Sequence, residues 1–253
     1  MTNPFSLAGQ TALVTGASRG IGRALAVALA EAGADVVCAS SRPGGTADTA
    51  AAVRALGRQA WSVSADLSQP REPGLLAADV LADVGPIDIL VNNAGTIRRA
   101  PAAEFGIADW EHVLQTNLTA LFALCKAFGG PMLERRRGKI INIASLLSFQ
   151  GGITVPAYTA SKHGVAGLTK ALANEWAVRG VNVNAIAPGY IRTDNTQALQ
   201  DNETRSRQIL ERIPAGRWGE ASDLGGACVF LASTAADYVH GTTVTVDGGW
   251  MAR

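Results

Sequence analysis

The chain has 253 residues, of which 47% are hydrophobic and 17% charged, with 28 glycines and a formal net charge of +1. A near-neutral chain carries no electrostatic footprint for nucleic acid or an anionic membrane surface, and no apolar run approaches the roughly 20 residues that cross a bilayer. The three cysteines, Cys38, Cys125 and Cys228, sit apart in apolar segments, with neither a disulfide framework nor metal-ligand spacing, which suits a reducing compartment.

The opening MTNPFSLAGQ lacks the charged-then-apolar pattern of a secretory leader, so a soluble cytoplasmic protein is expected. Short apolar runs then alternate with helical patterns. TALVTG predicts a strand, followed by a helix in which Ile21, Leu25, Leu29 and Ala32 recur at helical spacing before Gly33 stops it. ADVVCAS and WSVSAD are the next strands, with a helical stretch from Thr46 to Leu56 between them. A helix from about Pro73 to Val84 leads into IDILVNNAG, and a long helix over about 108–128 leads into GKIINIAS. The triplet Arg135, Arg136 and Arg137 before that strand reads as cations at a helix C-terminus. A helix containing Tyr158, the strand VNVNAIAPG, a helix near 222–233 and a last strand TTVTVDGG complete the order.

Strands this apolar, each separated by a helix, predict a parallel sheet covered on both faces. With right-handed crossovers this is an α/β Rossmann-type doubly wound fold of about seven strands. No linker, composition shift or repeat divides the chain, so one domain over residues 1–253 is expected. The polar stretch from about Tyr190 to Trp218 contains no strand and follows a strand end, where a mobile lid over a ligand is expected.

TGASRGIG joins the first strand to the first helix. Gly16, Gly20 and Gly22 allow a tight turn and close approach of backbone to a ligand, and the helix N-terminus offers free N–H groups to a pyrophosphate. Ser18, Arg19 and Ile21 belong to the same turn. At the end of the second strand, where a carboxylate selects the ribose hydroxyl of NAD, the chain has Ser40, with Arg42 close by. With Arg19, these residues tolerate or favour the 2′-phosphate of NADP, unless both arginines are merely solvated surface groups.

PAYTASKHG puts Tyr158 and Lys162 four positions apart, adjacent on one helix face. An ammonium held there favours the phenolate and makes a usable acid or base. Taken alone, the pair is equally an aromatic anchor beside a solvated lysine.

TGASRGIG, NNAG at 92–95, Asn117, Ser145, YTASK at 158–162 and APG at 187–189 occur in the order and spacing of the short-chain dehydrogenase/reductase family, which the whole chain resembles. NNAGTIRRAP, KIINIASLLSFQGG, ERIPAGRWG and VDGGWMAR resemble its sugar-acid branch, containing 2-deoxy-D-gluconate 3-dehydrogenases and 2-dehydro-3-deoxy-D-gluconate 5-dehydrogenases. The resemblance implies an oxidoreductase interconverting a secondary alcohol and a ketone on a deoxy-hexonate by hydride transfer with NAD(P). That branch leans to NAD, against the slight lean of the residues to NADP.

By the same resemblance Tyr158 is the general acid/base and Lys162 lowers its pKa and reaches the nicotinamide ribose. Ser145 holds the substrate oxygen, and Asn117 positions a relay water. Asp66, with Leu67 beside it, would take the adenine amino group, although a strand-end turn cap is a rival role. Asn93, Ala94 and Gly95 would line the adenosine ribose and close the edge of the sheet. Pro188, Gly189, Ile191 and Thr193 would flank the nicotinamide. No metal is implied.

A hexonate needs a cation for its carboxylate and polar groups for its hydroxyls. Arg98, Gln150, Tyr190 and Asn195, besides Ser145, are the candidates on loops at the same strand ends, and each is as easily a surface or lid residue. His163 reads as structural. Trp218 and Trp250 are candidates for interface packing, since the family usually forms homotetramers. Two rivals stand: a 3-oxoacyl thioester reductase of the same family, and a dinucleotide-sensing protein without chemistry.

Overall fold

A computed structural model describes residues 3–253, the side chain of Asn195 excepted. The strands are β1 (Thr11–Thr15), β2 (Asp35–Ser40), β3 (Ala60–Ser64), β4 (Ile89–Asn92), β5 (Gly138–Ile143), β6 (Val181–Pro188) and β7 (Thr243–Val246). They form one seven-stranded sheet in the order β3-β2-β1-β4-β5-β6-β7, and every pairing is parallel. The order reverses between β1 and β4, so the carboxyl ends of those strands open a crevice where ligands bind in such sheets.

Helices cover both faces, as the continuous apolar strands require. One face packs α1 (Gly20–Glu31), α2 (Ala47–Ala55) and α9 (Gly225–Ala232); the other packs α3 (Glu72–Asp83), α5 (Ala120–Glu134) and α6 (Pro156–Trp176). Leu25, Leu29, Val36, Cys38, Ile89 and Ile141 lie in the first core, and Leu13, Val37, Leu90, Leu124, Phe128 and Ile140 in the second. Alternate residues of one strand thus serve opposite cores, the period-2 consequence of the pleat. Among the described residues no helix is long and apolar enough to cross a membrane.

Three expectations need correction. The long helix is α4 (Ile107–Leu114) continued through a π turn over Gln115–Thr119 into α5, six residues beyond the expected end at 128. The arginine triplet does more than face a helix dipole: Arg135 and Arg137 both pair with Asp88 before β4, and Arg135 also donates to the carbonyl of Ile87. The 190–218 stretch carries α7 (Gln197–Gln200), α8 (Glu203–Arg212) and its own small core, in which Ile209, Ile213, Trp218 and Trp250 meet Leu146. Trp218 and Trp250 are therefore 2% and 5% exposed within the chain and are not free to pack an interface. Tyr190 lies between them, its ring centroid 5.5 Å from Trp218 and 4.6 Å from Trp250.

Candidate active site

The first turn after β1 is shaped by what its glycines exclude. Gly16 takes φ +64°, a conformation that a β-carbon opposes. A β-carbon on Gly22 would overlap the carbonyl oxygen of Gly16 and reach 2.5 Å from Asn93 Nδ2. The turn is fixed from below: Asn93 Nδ2 donates to the carbonyls of Thr15 (2.9 Å) and Gly16 (3.2 Å). The backbone N–H groups of Asn93 and Ala94 donate to Thr15 Oγ1, each at 3.0 Å, and Thr49 Oγ1 donates to the carbonyl of Ala17 at 2.7 Å. Asn93 thus supports the turn rather than offering its amide to a ligand, and β4 lies mid-sheet, so Asn93 to Gly95 close no edge. No side chain caps the start of α1, whose first N–H groups stay open beside the turn, as a pyrophosphate requires. Ser18 and Ile21 lie half-buried in it.

At the end of β2, Ser40 is buried and its hydroxyl donates to the carbonyl of Arg42 at 3.0 Å, closing its own loop. The Arg42 side chain is exposed. Arg19 is bound to Asp194 at 2.8 Å, a bond joining the glycine turn to the 190–218 stretch, and Thr193 Cγ2 would lie 3.4 Å from a β-carbon on Gly20. Asp66 caps the turn after β3: its Oδ1 accepts from the backbone and hydroxyl of Ser68 at 3.1 and 2.8 Å, which hold its carboxyl below the usual range. Leu67 is buried beside it. Pro188 ends β6, and Gly189 leaves no room for a side chain because a β-carbon would sit 2.6 Å from Asp247 Cα. Ile191 is 4% exposed, and Thr193 starts the short turn Asp194–Thr196 that contains Asn195. Asn195 itself falls outside the residues whose side chains are described.

Ser145 follows β5 and caps a short 3-10 turn, its Oγ accepting from Leu147 N–H at 3.1 Å. Tyr158 lies in the first turn of α6, its ring partly open to the cleft. Burial pushes its pKa up, while the Ser145 hydroxyl and the Arg99 guanidinium pull it down. Lys162 is 4% exposed, with Nζ donating to the carbonyl of Ile143 at 2.5 Å and lying 5.6 Å from the centre of the Tyr158 ring. Burial lowers its own pKa from 10.5 to about 8. The helical spacing therefore joins the two side chains, with the Lys162 ammonium set over the phenol ring.

Asn117 sits in the π turn. Its Oδ1 accepts from Thr96 N–H at 2.8 Å, and its Nδ2 donates to the Thr96 carbonyl at 2.9 Å and Ser161 Oγ at 3.1 Å. Both amide hydrogens are spent on tying the loop after β4 to α6. Arg98 is drawn away to Asp109 at 3.5 Å and to His112. Its neighbour Arg99 makes no ion pair or hydrogen bond among the described residues and is exposed. Two adjacent arginines gave no local signal to tell them apart. Gln150 is half-buried beyond Ser145, and His163 Nδ1 faces the carbonyl of Thr159 at 3.0 Å. The cysteines are buried, with thiols pushed up to about 11 or 12 and so inert. Among the described residues no three His, Cys, Asp or Glu side chains gather as metal ligands.

A doubly wound parallel sheet, a side-chain-free phosphate turn and a Ser–Tyr–Lys group at the carboxyl ends of adjoining strands define the class of dinucleotide-binding oxidoreductases. The short chain dehydrogenase family model matches residues 10–204, and the chain belongs to the short-chain dehydrogenase family. It is 56% identical over 249 residues to a 2-dehydro-3-deoxy-D-gluconate 5-dehydrogenase of Bacillus subtilis (strain 168), covering 98% of this chain and 97% of that one. A protein of the same description from Escherichia coli (strain K12) is 52% identical over 250 residues, 98% of each chain. Among solved structures, a gluconate 5-dehydrogenase from Burkholderia cenocepacia J2315 in complex with NADP and tartrate superposes with a TM-score of 0.95 at 41% identity, over 99% of this chain and 98% of that one.

Proposed function

We propose that the chain interconverts a secondary alcohol and a ketone on a deoxy-hexonate, of the 2-keto-3-deoxygluconate or 2-deoxygluconate type, with NADP preferred over NAD. The observation that carries the proposal is the gathering of Ser145, Tyr158 and Lys162 at the carboxyl end of β5, with the loop that bears Arg99 tied to the segment before the tyrosine helix by the bond from Ala100 N–H to the Thr154 carbonyl. A hydroxy acid brings an alcohol oxygen and a carboxylate, and the cluster offers a proton donor-acceptor and a cation to match them.

When bound, the dinucleotide gives or takes the hydride. The turn from Gly16 to Gly22 and the open N-terminus of α1 would hold its pyrophosphate. Arg42 would meet a 2′-phosphate where β2 ends in Ser40 rather than a carboxylate, while Pro188, Gly189, Ile191 and Thr193 would flank the nicotinamide. Ser145 would donate to the substrate oxygen, and Tyr158 would pass its proton to that oxygen in reduction or take it in oxidation. Lys162, desolvated and lacking a carboxylate, would turn from the Ile143 carbonyl toward the ribose. Arg99 would take the substrate carboxylate as a planar two-pronged donor, the part first expected of Arg98. One domain, a homotetrameric assembly and a cytoplasmic setting complete the proposal. The unpaired outer edge of β7 and the reduced, buried cysteines support the last two.

The test is absorbance at the nicotinamide band, with NAD and NADP separately, against 2-keto-3-deoxygluconate, 2-deoxygluconate, gluconate and a 3-oxoacyl thioester. Turnover of a deoxy-hexonate with NADP is expected. Silence on every sugar acid with turnover of the thioester would discard the substrate and keep the proton chemistry.

A further inference from the structure

The segment between Ser145 and Tyr158 contains a backbone conformation that its residue resists. Thr154 has φ +63°, in the left-handed region that β-branched side chains avoid. It is exposed, and the adjoining Ile153 is 87% exposed, so packing does not force it there. Two hydrogen bonds hold it instead. Thr154 Oγ1 donates to the carbonyl of Ile153 at 2.6 Å, and the Thr154 carbonyl accepts from the backbone N–H of Ala100 at 3.0 Å. Ala100 follows Arg99 directly, and Thr154 stands one helical turn before Tyr158. The second bond therefore fastens the arginine-bearing loop to the segment that starts the tyrosine-bearing helix. Strain kept at such a place marks a conformation selected for what it positions.

We propose that Thr154 is a positioning residue for substrate recognition: its left-handed backbone aims its carbonyl at Ala100, and that bond holds the loop carrying Arg99 against the start of the Tyr158 helix. The proposal rests on the role given to Arg99 above. It makes affinity for the acid depend on a residue that touches neither substrate nor cofactor, and it assigns the dependence to backbone conformation rather than to the hydroxyl.

Thr154→Val keeps the shape, loses the bond to Ile153 and disfavours the left-handed region. Thr154→Asn and Thr154→Gly lose the hydroxyl but adopt that region readily. With 2-keto-3-deoxygluconate, Thr154→Val is expected to raise KM roughly tenfold, with kcat within about twofold. The KM for NADP should be unchanged, which also reports that the variant is folded. Thr154→Asn and Thr154→Gly should stay near the wild-type KM, and Thr154→Val should add nothing in an Arg99→Ala background. An unchanged KM in Thr154→Val, or an equal rise with and without Arg99, would overturn the proposal. If Arg99→Ala alone raises KM while Thr154→Val does not, only Thr154 loses its role. A wild-type chain silent on the acid, or Arg99→Ala with unaltered KM, would overturn both this and the carboxylate role of Arg99.

Discussion

Lys162 imposes a cost on the folded chain that should be measurable apart from its chemistry. Its ammonium is 4% exposed and bonded to one carbonyl, and burial alone moves its pKa from 10.5 to about 8. At about 1.4 kcal/mol per unit, keeping the proton on in the folded state costs about 3 kcal/mol at pH 7. Between the two pKa values the unfolded chain binds more protons than the folded one, so the cost is full below pH 8 and fades as pH rises toward 10.5. Lys162→Met removes the charge but leaves the Ile143 carbonyl without this donor, which takes back roughly 1 kcal/mol. The variant should therefore be about 2 kcal/mol more stable than wild type at pH 7 while its kcat collapses. Urea denaturation of both proteins at matched concentration from pH 7 to 9.5 should show this advantage shrinking by about 2 kcal/mol. The slope is diagnostic because the carbonyl contributes equally at every pH. A difference that stays flat, or a variant less stable at pH 7, would refute the assignment of a charged, uncompensated lysine.

Tyr158→Phe should lower kcat by roughly 10²- to 10⁴-fold, the worth of a positioned acid or base, with the dissociation constant for NADP, read by tryptophan fluorescence, within a few-fold. Gly22→Ala must push the glycine turn off the Gly16 carbonyl and Asn93. A displacement of about 1 Å there should raise the KM for the dinucleotide roughly a hundredfold, and an unaltered KM would remove the phosphate role from this turn. Gly74, in the first turn of α3, has open space where a β-carbon would go. Gly74→Ala should raise stability by roughly 0.5–1 kcal/mol in urea denaturation at unchanged activity.

The sheet was legible because each strand is a short apolar run stopped by a turn residue, and the sequence order alone sets its handedness. The glycine turn and the Tyr158–Lys162 spacing were legible for the same reason, since the constraint and the residue that meets it are neighbours in the chain. The failures are all long-range. The π turn at Asn117 is held by Thr96 and Ser161, twenty-one and forty-four residues away. Arg98 and Arg99 are chemically identical neighbours, and only where Asp109 stands gives Arg98 an ion pair that Arg99 lacks among the described residues. Trp250 reads as an exposed terminal aromatic until Ile209, Ile213 and Leu146 are brought around it. The rise in the Tyr158 pKa comes first from burial, which no i, i+4 count contains.

The two large cores share strands β1 to β6 of the sheet, so opening one disturbs the other. The third core is different: apart from Leu146, its buried members Ile209, Ile213, Trp218 and Trp250 all come from the 190–218 stretch and the last four residues. It should open as a separate cooperative unit by local unfolding. Its amides should exchange hydrogen, and its peptide bonds yield to protease, at a lower free energy than those of the sheet. Leu146 is next to Ser145, so each such opening would be felt at the serine while β1 to β6 stay paired. Turnover could therefore fail on heating before any loss of secondary structure in the sheet.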